Sequence, residues 1–155
     1  MDVDSFSALP DIVDSYCSLG RWKRPVAADF YGHDTVSLID EMDQKGIAEA
    51  IVHHSISRLS HPIDGNEQAM KGIKGEPRLH ACWSILSKAS REYPVFEEYI
   101  EDAFRRGVRC FAVFPRFGAY PSGHDTSVRE FVRADTFAFL EERRFPVFID
   151  FGADP

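Results

Sequence analysis

Two side chains that could accept a proton stand at the ends of apolar, strand-like segments. Asp150 follows the run from Phe145 to Ile149, and His54 closes the run that begins at Ala48. A carboxylate can take a proton from water, and an imidazole titrates near neutral pH, so both groups suit general acid–base catalysis. We predict that Asp150 is the general base of a catalytic site and that His54 is a second catalytic group.

Cationic and hydroxyl side chains occupy similar positions elsewhere in the chain. Arg21 follows the first strand-like segment and Arg116 follows the fourth, while Tyr16 and Ser18 lie at the end of the first. Arginine binds carboxylates through two parallel hydrogen bonds, which favours an anionic ligand. We predict that these four residues bind a small anionic substrate. The alternative is that the loop arginines are ordinary solvated surface residues.

His53 and His54 are neighbours on one predicted strand, and this placement limits their roles. Successive side chains on a strand point to opposite faces, so only one of the two can face a shared interior. They therefore do not form a two-ligand metal site, and a structural role is the alternative to catalysis for each.

Short apolar runs alternate with amphipathic segments along the whole chain, and glycine and proline separate them. The predicted strands are residues 11–17, 48–54, 79–86, 108–114 and 145–151. The predicted helices are residues 35–45, 64 to 72 or 75, 94–107 and 127–144. Their predicted N-terminal caps include Asp34, Asp64 with Glu67, and Ser127 with Glu130.

This order of elements predicts an α/β fold with a parallel sheet. Strands joined by single helices run parallel, because each helix returns the chain to the starting edge of the sheet. The chain is therefore predicted to be one domain, residues 1–155, of the parallel β/α-barrel type. A complete barrel takes about 250 residues, so five strands and four helices form an incomplete one. An open, doubly wound sheet is the structural alternative.

An incomplete barrel leaves its first and fifth strands as unpaired edges, and such edges attract other chains. We therefore expect a truncated chain, a partner that covers the edges, or self-association into a homo-oligomer.

Composition argues against several classes of protein. With 25 Asp and Glu against 18 Lys and Arg, the net charge of −7 disfavours binding to nucleic acid. The acidic N-terminus does not resemble a secretory signal, and no apolar run is long enough for a membrane helix, so we expect a cytoplasmic protein without a membrane partner. The three cysteines form no C-x-x-C pair, which indicates reduced thiols.

Three segments resemble the amidohydrolase-related metal-dependent hydrolases, in the order that this family has them. Residues 12–22 are similar to its first-strand motif D-x-H-x-H-x-G, and residues 42–47 are similar to the end of its first helix. Residues 145–152 are similar to its fifth-strand motif P-V-x-x-H-x-G. The resemblance implies a β/α-barrel hydrolase or decarboxylase that acts on a carbonyl compound, with this chain supplying the first five strands.

The chain departs from the family at the positions of the metal ligands. The two histidines of the first motif fall on Tyr16 and Ser18, and the histidine of the fifth-strand motif falls on Asp150. A phenol, a hydroxyl and one carboxylate are a poor substitute for the imidazoles that hold zinc. We therefore expect no metal cofactor. Zinc would require a site rebuilt from other residues, such as Asp150 with His53 or His54.

Together these features predict an amidohydrolase-like hydrolase, decarboxylase or lactonase that acts on a small anionic carbonyl compound without the usual metal centre. Asp150 or a histidine would be its base, and the arginines would bind the anion. Two alternatives remain open. One is a non-catalytic fragment or pseudoenzyme that associates with itself or a partner, and the other is a small-ligand binding module.

Overall fold

The computed structural model describes residues 12–20, 33–86, 95–115 and 127–150 of the chain. Within these ranges the strands are β1 (Ile12–Leu19), β2 (Ile47–His54), β3 (Leu79–Ser84), β4 (Cys110–Val113) and β5 (Val147–Ile149). The helices are α1 (Thr35–Lys45), α2 (Ser55–Leu59), α3 (Pro62–Gly72), α4 (Phe96–Arg105), α5 (Val128–Phe131) and α6 (Ala134–Glu142). In the same ranges, the structure contains no helix that is both long and apolar enough to cross a membrane.

The strands form one parallel sheet in the order β1-β2-β3-β4-β5. Each strand pairs with the next one along the chain, whereas a doubly wound sheet reverses its strand order at a switch point. The described strands show no such reversal. The predicted incomplete β/α barrel is therefore confirmed, in the form of a half-barrel of parallel strands and connecting helices.

Both faces of this sheet are packed. The outer cluster joins β3 and β4 to the helices that follow them, through Trp83, Phe111, Ile100 and Leu140 among others. The inner cluster consists of Cys82, Cys110, Ala112 and Phe114, with Tyr16, Ile51 and Phe148 packed against them. Burial of a large apolar side chain stabilises the fold by about 1.5–3 kcal/mol. The inner cluster corresponds to the side-chain core that fills the interior of a β/α barrel.

Helix α1 has the boundaries that its sequence predicts. Asp34 is its N-cap and accepts a hydrogen bond from the backbone N–H of Ser37 at 2.8 Å. Gly46 ends the helix in the left-handed conformation, with φ of 67°. Leu38 and Met42, four residues apart, form its buried face. Local signals are sufficient to set both ends of this helix.

Helix α3 begins earlier than predicted. Its N-cap is His61, whose Nδ1 accepts a hydrogen bond from the backbone N–H of Asp64 at 3.4 Å, and Pro62 occupies the first turn. Glu67, the predicted capping partner, instead forms a bidentate ion pair with Arg106 at 2.5 and 2.9 Å. The carboxylate of Glu67 thus forms an ion pair with a distant residue instead of the capping hydrogen bond that the local motif predicts.

The predicted helix 127–144 is divided into α5 and α6. Ser127 and Glu130 form the predicted capping box of α5. The backbone is then extended at Val132 and Arg133, with ψ of 143° and 145°. Phe131 and Val132 are both buried in the outer cluster, so packing overrides the helical preference of the segment.

Helix α2 has no counterpart among the predicted elements, because a segment of five residues is too short to show a helical period. It lies against α3, and Gly65 permits this contact. A Cβ at Gly65 would lie 2.2 Å from the backbone nitrogen of Ser57. The close approach places Arg58, the next residue of α2, above the carboxyl end of the sheet.

The strands β2 and β3 separate after a short paired segment, and Asn66 of α3 fills the gap. The ladder joins Ala50–Val52 to Leu79–Ala81. Beyond it, Oδ1 of Asn66 accepts a hydrogen bond from the N–H of Ser84 at 2.8 Å, and its Nδ2 donates to the carbonyl of Ser84 at 3.3 Å. The hydroxyl of Tyr99 donates to the same carbonyl at 2.6 Å. These bonds replace pairing with β2 at the end of β3, where Ser84 is still paired with Ala112 of β4.

Candidate functional site

The side chains of Tyr16 and Asp150 meet inside the half-barrel. The phenol of Tyr16, on β1, donates a hydrogen bond to Oδ2 of Asp150 at 3.2 Å. Asp150 directly follows β5, and its backbone N–H donates to the carbonyl of Val113 at 3.0 Å. This bond holds the carboxylate at the carboxyl end of the sheet, where β/α barrels carry their catalytic groups.

A bulge in β1 lies at the position of Tyr16. Asp14 pairs with Ala50 and Cys17 pairs with Val52, so β1 has one extra residue in this interval. The backbone N–H of Tyr16 donates to Oδ1 of Asp14 at 3.1 Å. Tyr16 packs with the inner cluster, while Cys17 packs with residues on the outer face. Bulges re-aim side chains next to active sites, and this one directs the phenol inward.

Arg58 brings a cation to the same carboxylate. Its Nη1 lies 3.6 Å from Oδ2 of Asp150, and the two side chains are only 14% and 18% exposed. Such partial burial reduces the screening of the ion pair by solvent. The carboxylate therefore lies between a hydrogen-bond donor from β1 and a positive charge from α2.

Tyr16 is a donor in this arrangement. Burial, and after it the negative charge of Asp150, raise the pKa of Tyr16 well above its usual value. The phenol stays protonated at physiological pH, so it can stabilise the carboxylate through its hydrogen bond.

His53 lies on the inner face beside Tyr16. The two rings are stacked with centroids 4.7 Å apart, and the ring of Phe114 lies 5.6 Å from the imidazole. Burial lowers the pKa of His53 to about 4, even though the charge of Asp150 acts in the opposite direction. The imidazole is therefore neutral near pH 7. The backbone of Cys17 also raises this pKa, but among the described residues no group has good hydrogen-bond geometry with either ring nitrogen.

His54 lies on the opposite face of β2. Its Nδ1 accepts a hydrogen bond from the backbone N–H of Ile56 at 3.2 Å and caps α2, and partial burial lowers its pKa. Gly20 packs against the ring, since a Cβ there would lie 2.5 Å from Cε1 of His54. A cavity of about 610 Å³ on this side is lined by His54, Gly20, His33, Gln68 and Lys71 among others. The catalytic role of His54 stays a prediction, and the histidine next to Tyr16 and Asp150 is His53.

The other predicted site residues divide into two groups. Ser18 is aligned with His53 in the pairing of β1 with β2, and its hydroxyl donates to the carbonyl of Leu19 at 3.4 Å. Arg21 and Arg116 lie outside the described residues. The structure thus places Tyr16, Ser18 and Asp150 on the inner face and joins Tyr16 to Asp150 directly, while the roles of the three residues in binding and catalysis stay predictions.

His53 and Arg58 belong to this site but are not among the predicted site residues. Successive side chains of a strand alternate between its faces, so the sequence shows that His53 and His54 point apart. Only the pairing with β1 and the stacking on Tyr16 show which of the two points inward. Arg58 reaches Asp150 because α2 turns immediately after β2. The nearness of Arg58 to the end of a predicted strand was its only signal in the sequence.

The donors of this site do not suit a divalent metal ion. In the part of the chain that the structure describes, no three His, Cys, Asp or Glu side chains form a group that could hold one. At the positions that match the family's ligands, Tyr16 is a protonated phenol bound to Asp150, and Ser18 offers a neutral hydroxyl. Zinc sites are built from imidazoles, thiolates and carboxylates, so the metal implied by the amidohydrolase resemblance does not fit these residues.

Comparisons with known proteins bear on the fold. No protein-family model matches the sequence, and no curated protein matches it. Among solved structures, the chain is similar to a probable 2-pyrone-4,6-dicarboxylic acid hydrolase from Acinetobacter baumannii, crystallised with citric acid bound, at a TM-score of 0.54 and 13% identity. The match covers 90% of this chain and 49% of that one, so the chain spans about half the length of that structure. At this identity the likeness shows the fold alone, which is a parallel β/α barrel.

Proposed function

We propose that this site belongs to a hydrolase of a small anionic carbonyl compound, such as a lactone that carries carboxylate groups. Asp150 is the general base, and no divalent metal takes part. The observation that carries the proposal is the Asp150 carboxylate, held at the carboxyl end of β5 between the phenol of Tyr16 and the guanidinium of Arg58. The similar structure supports it, because its name is that of a dicarboxylic acid hydrolase and it has citric acid bound.

The proposed reaction needs only water and the side chains of the site. Asp150 accepts a proton from a water molecule while the water oxygen attacks the carbonyl carbon of the substrate. The acyl C–O bond then breaks, and the leaving oxygen takes the proton back from Asp150. A positioned general base accelerates such a step by about 100- to 10,000-fold.

The cations of the site are proposed to bind the substrate's carboxylate groups. Arg58 is next to Asp150 and largely buried, which favours a bidentate contact with an anion. Arg21 and Arg116 are proposed to add positive charge, and Tyr16 and Ser18 are proposed to contact the bound molecule.

Substitution of Asp150 tests the general base. Lactones and esters of di- and tricarboxylic acids are assayed by the protons released on hydrolysis. Asp150→Asn is expected to lower kcat by at least about 100-fold, because the amide cannot accept the proton. The matched control is Asp64→Asn on α3, where the carboxylate is 74% exposed and lies 3.7 Å from Nδ1 of His61. Full turnover by Asp150→Asn would remove this residue from the mechanism.

The metal-free part of the proposal has a separate test. The purified protein is analysed for zinc, manganese and iron, and its turnover is measured before and after dialysis against a chelator. Turnover is expected to be unchanged. A stoichiometric metal whose removal abolishes turnover would show that other residues rebuild a metal centre.

The exposed edge strands favour a second candidate, in which the chain acts by association with itself or with a partner. Ile12 and Val13 of β1 and Ile149 of β5 are 51%, 52% and 46% exposed. Val13→Lys is expected to lower the mass measured by light scattering, because charge on an edge opposes strand pairing. Val36→Lys on α1, at a site 70% exposed, is the control. A wild-type monomer at all concentrations would exclude self-association and leave only a different partner. Dicarboxylate binding without turnover would indicate a binding module instead.

A further inference from the structure

The inner face of the sheet contains buried polar atoms that the described residues leave unused. Neither Nδ1 nor Nε2 of His53 has a partner with good hydrogen-bond geometry among them, although the backbone of Cys17 is close enough to raise the pKa of the ring, and Oγ of Ser84 has no partner among them. His53 is 2% exposed and Ser84 is 0% exposed. A buried polar group without a partner destabilises a fold, so its presence requires an explanation, such as a ligand that supplies the missing bond.

The surroundings of His53 decide what it can offer to a ligand. The ring stacks on Tyr16, and its charged neighbours are Asp150 and Arg58, with His54 next to it on β2. Its burial keeps it neutral near pH 7, and a neutral imidazole carries one N–H donor and one acceptor nitrogen. His53 is therefore suited to donate a hydrogen bond to an uncharged oxygen atom of a ligand.

On the basis of the proposed function, we propose that the imidazole N–H of His53 binds the carbonyl oxygen of the substrate. Negative charge develops on this oxygen when water attacks the carbonyl carbon, and a fixed donor in a desolvated site stabilises that charge. The site would therefore select carboxylates that carry an additional carbonyl group over carboxylates of the same length that lack one.

Tyr16 stacks on one face of the His53 ring, and His53 is only 2% exposed. The N–H lies at the edge of the ring, so binding in this way requires the side chains around that edge to move. A substrate carboxylate that binds Arg58 would also compete for the contact that Arg58 makes with Asp150, the acceptor of the Tyr16 hydrogen bond.

Two dicarboxylates that differ by one carbonyl group test the inference. The affinities of 2-oxoglutarate and glutarate are measured by calorimetry. The wild type is expected to bind 2-oxoglutarate about tenfold more tightly, the effect of one good hydrogen bond to a buried donor. His53→Phe is expected to bind both equally, with its glutarate affinity unchanged, and His53→Gln is expected to keep part of the preference. His80→Phe is the control, because His80 is an exposed histidine of β3 paired with Glu49 at 2.6 Å.

The wild-type protein gives a second measurement that does not depend on the folding of a variant. In nitrogen-15 NMR spectra, the ring N–H signal of His53 is expected to shift more with 2-oxoglutarate than with glutarate, because only 2-oxoglutarate has a carbonyl oxygen that accepts from it. Equal wild-type affinities, no binding of either compound, or a preference that survives His53→Phe would each overturn the inference.

The same compounds separate this inference from the proposed function. Asp150→Asn is expected to keep the preference for 2-oxoglutarate while losing turnover, which supports both. If Asp150→Asn keeps turnover and His53→Phe loses the preference, the general base is wrong and the role of His53 stands.

Discussion

Tyr16 and Asp150 are 134 residues apart in the chain, yet a hydrogen bond of 3.2 Å joins their side chains. In a flat sheet, four strand spacings would separate β1 from β5 by about 19 Å. The bond forms because the strands between them curl in one direction, so that the first strand faces the fifth across the interior. This relationship makes the carboxylate part of an enclosed site, and it leads to the predictions below.

Removal of the Tyr16 hydroxyl is expected to destabilise the protein. Tyr16→Phe keeps the ring on His53 and loses the hydrogen bond to Asp150, which should lower the free energy of unfolding by about 1–2 kcal/mol. Urea unfolding measures the change. Glu101→Gln is the control, because it removes an exposed ion pair with Arg143 and should change stability by less than about 0.5 kcal/mol. Equal effects of the two substitutions would show that the Tyr16 bond contributes nothing to stability.

His53 is expected to make the protein less stable in acid. Its pKa is about 4 in the folded state, against the ordinary histidine value of 6.5 that applies to the unfolded chain. Between these pH values the unfolded chain binds a proton that the folded ring does not. The contribution of neutral His53 to the free energy of unfolding is therefore complete above pH 6.5 and is lost as the pH falls to 4. The loss amounts to about 3 kcal/mol. Unfolding of the wild type and of His53→Phe is compared from pH 4 to 8, and parallel pH curves would contradict the prediction.

Asn66 is expected to be the most sensitive polar residue of α3. Asn66→Ala leaves the buried N–H of Ser84 without its acceptor and weakens the contact with Tyr99. We expect a loss of about 2–3 kcal/mol in the free energy of unfolding. Gln68→Ala on the same helix, at an exposed position, is the control and should change stability by less than about 0.5 kcal/mol. A small effect of Asn66→Ala would mean that water replaces the amide at this gap.

Two glycines of α3 offer a matched pair of substitutions. Gly65→Ala would bring a Cβ to within 2.2 Å of the backbone of Ser57, whereas Gly72→Ala would meet only the end of the Leu19 side chain at 2.8 Å. Gly65 lies inside α3 and Gly72 is its last residue, so alanine gains more helical preference at position 65. A lower stability of Gly65→Ala must therefore come from the contact of α2 with α3. We expect Gly65→Ala to be less stable by at least about 2 kcal/mol and to bind dicarboxylates less tightly, because α2 carries Arg58. Similar melting temperatures for the two variants would contradict this prediction.

Several elements follow from local sequence signals alone. The ends of α1 are set by the cap at Asp34 and by the left-handed Gly46, and the box of Ser127 with Glu130 starts α5. The alternation of apolar runs with amphipathic segments predicts a parallel sheet of sequential strands. These signals act over four residues or fewer, or repeat with the period of an element, so they can be recognised without knowledge of the tertiary structure.

Other features depend on contacts between distant segments. Val132 and Phe131 interrupt a predicted helix because both are drawn into the outer cluster, and Glu67 leaves its predicted cap to bind Arg106. A bulge at Tyr16 changes which side chains of β1 point inward. In each case a packing or ionic contact with a distant segment competes with the local structural preference. The local sequence shows the preference but not the distant contact.

The sequence by itself determined the class of the fold, the order of the strands and the end of the sheet at which Asp150 and Tyr16 lie. The tertiary structure alone decided that His53 rather than His54 faces these residues and that Arg58 reaches the carboxylate. The physical reason is that the side chains of a strand alternate between two faces with a period of two, and this alternation does not show which face lies inside. Only the curvature of the sheet, and the position of the helix that follows β2, supply that information.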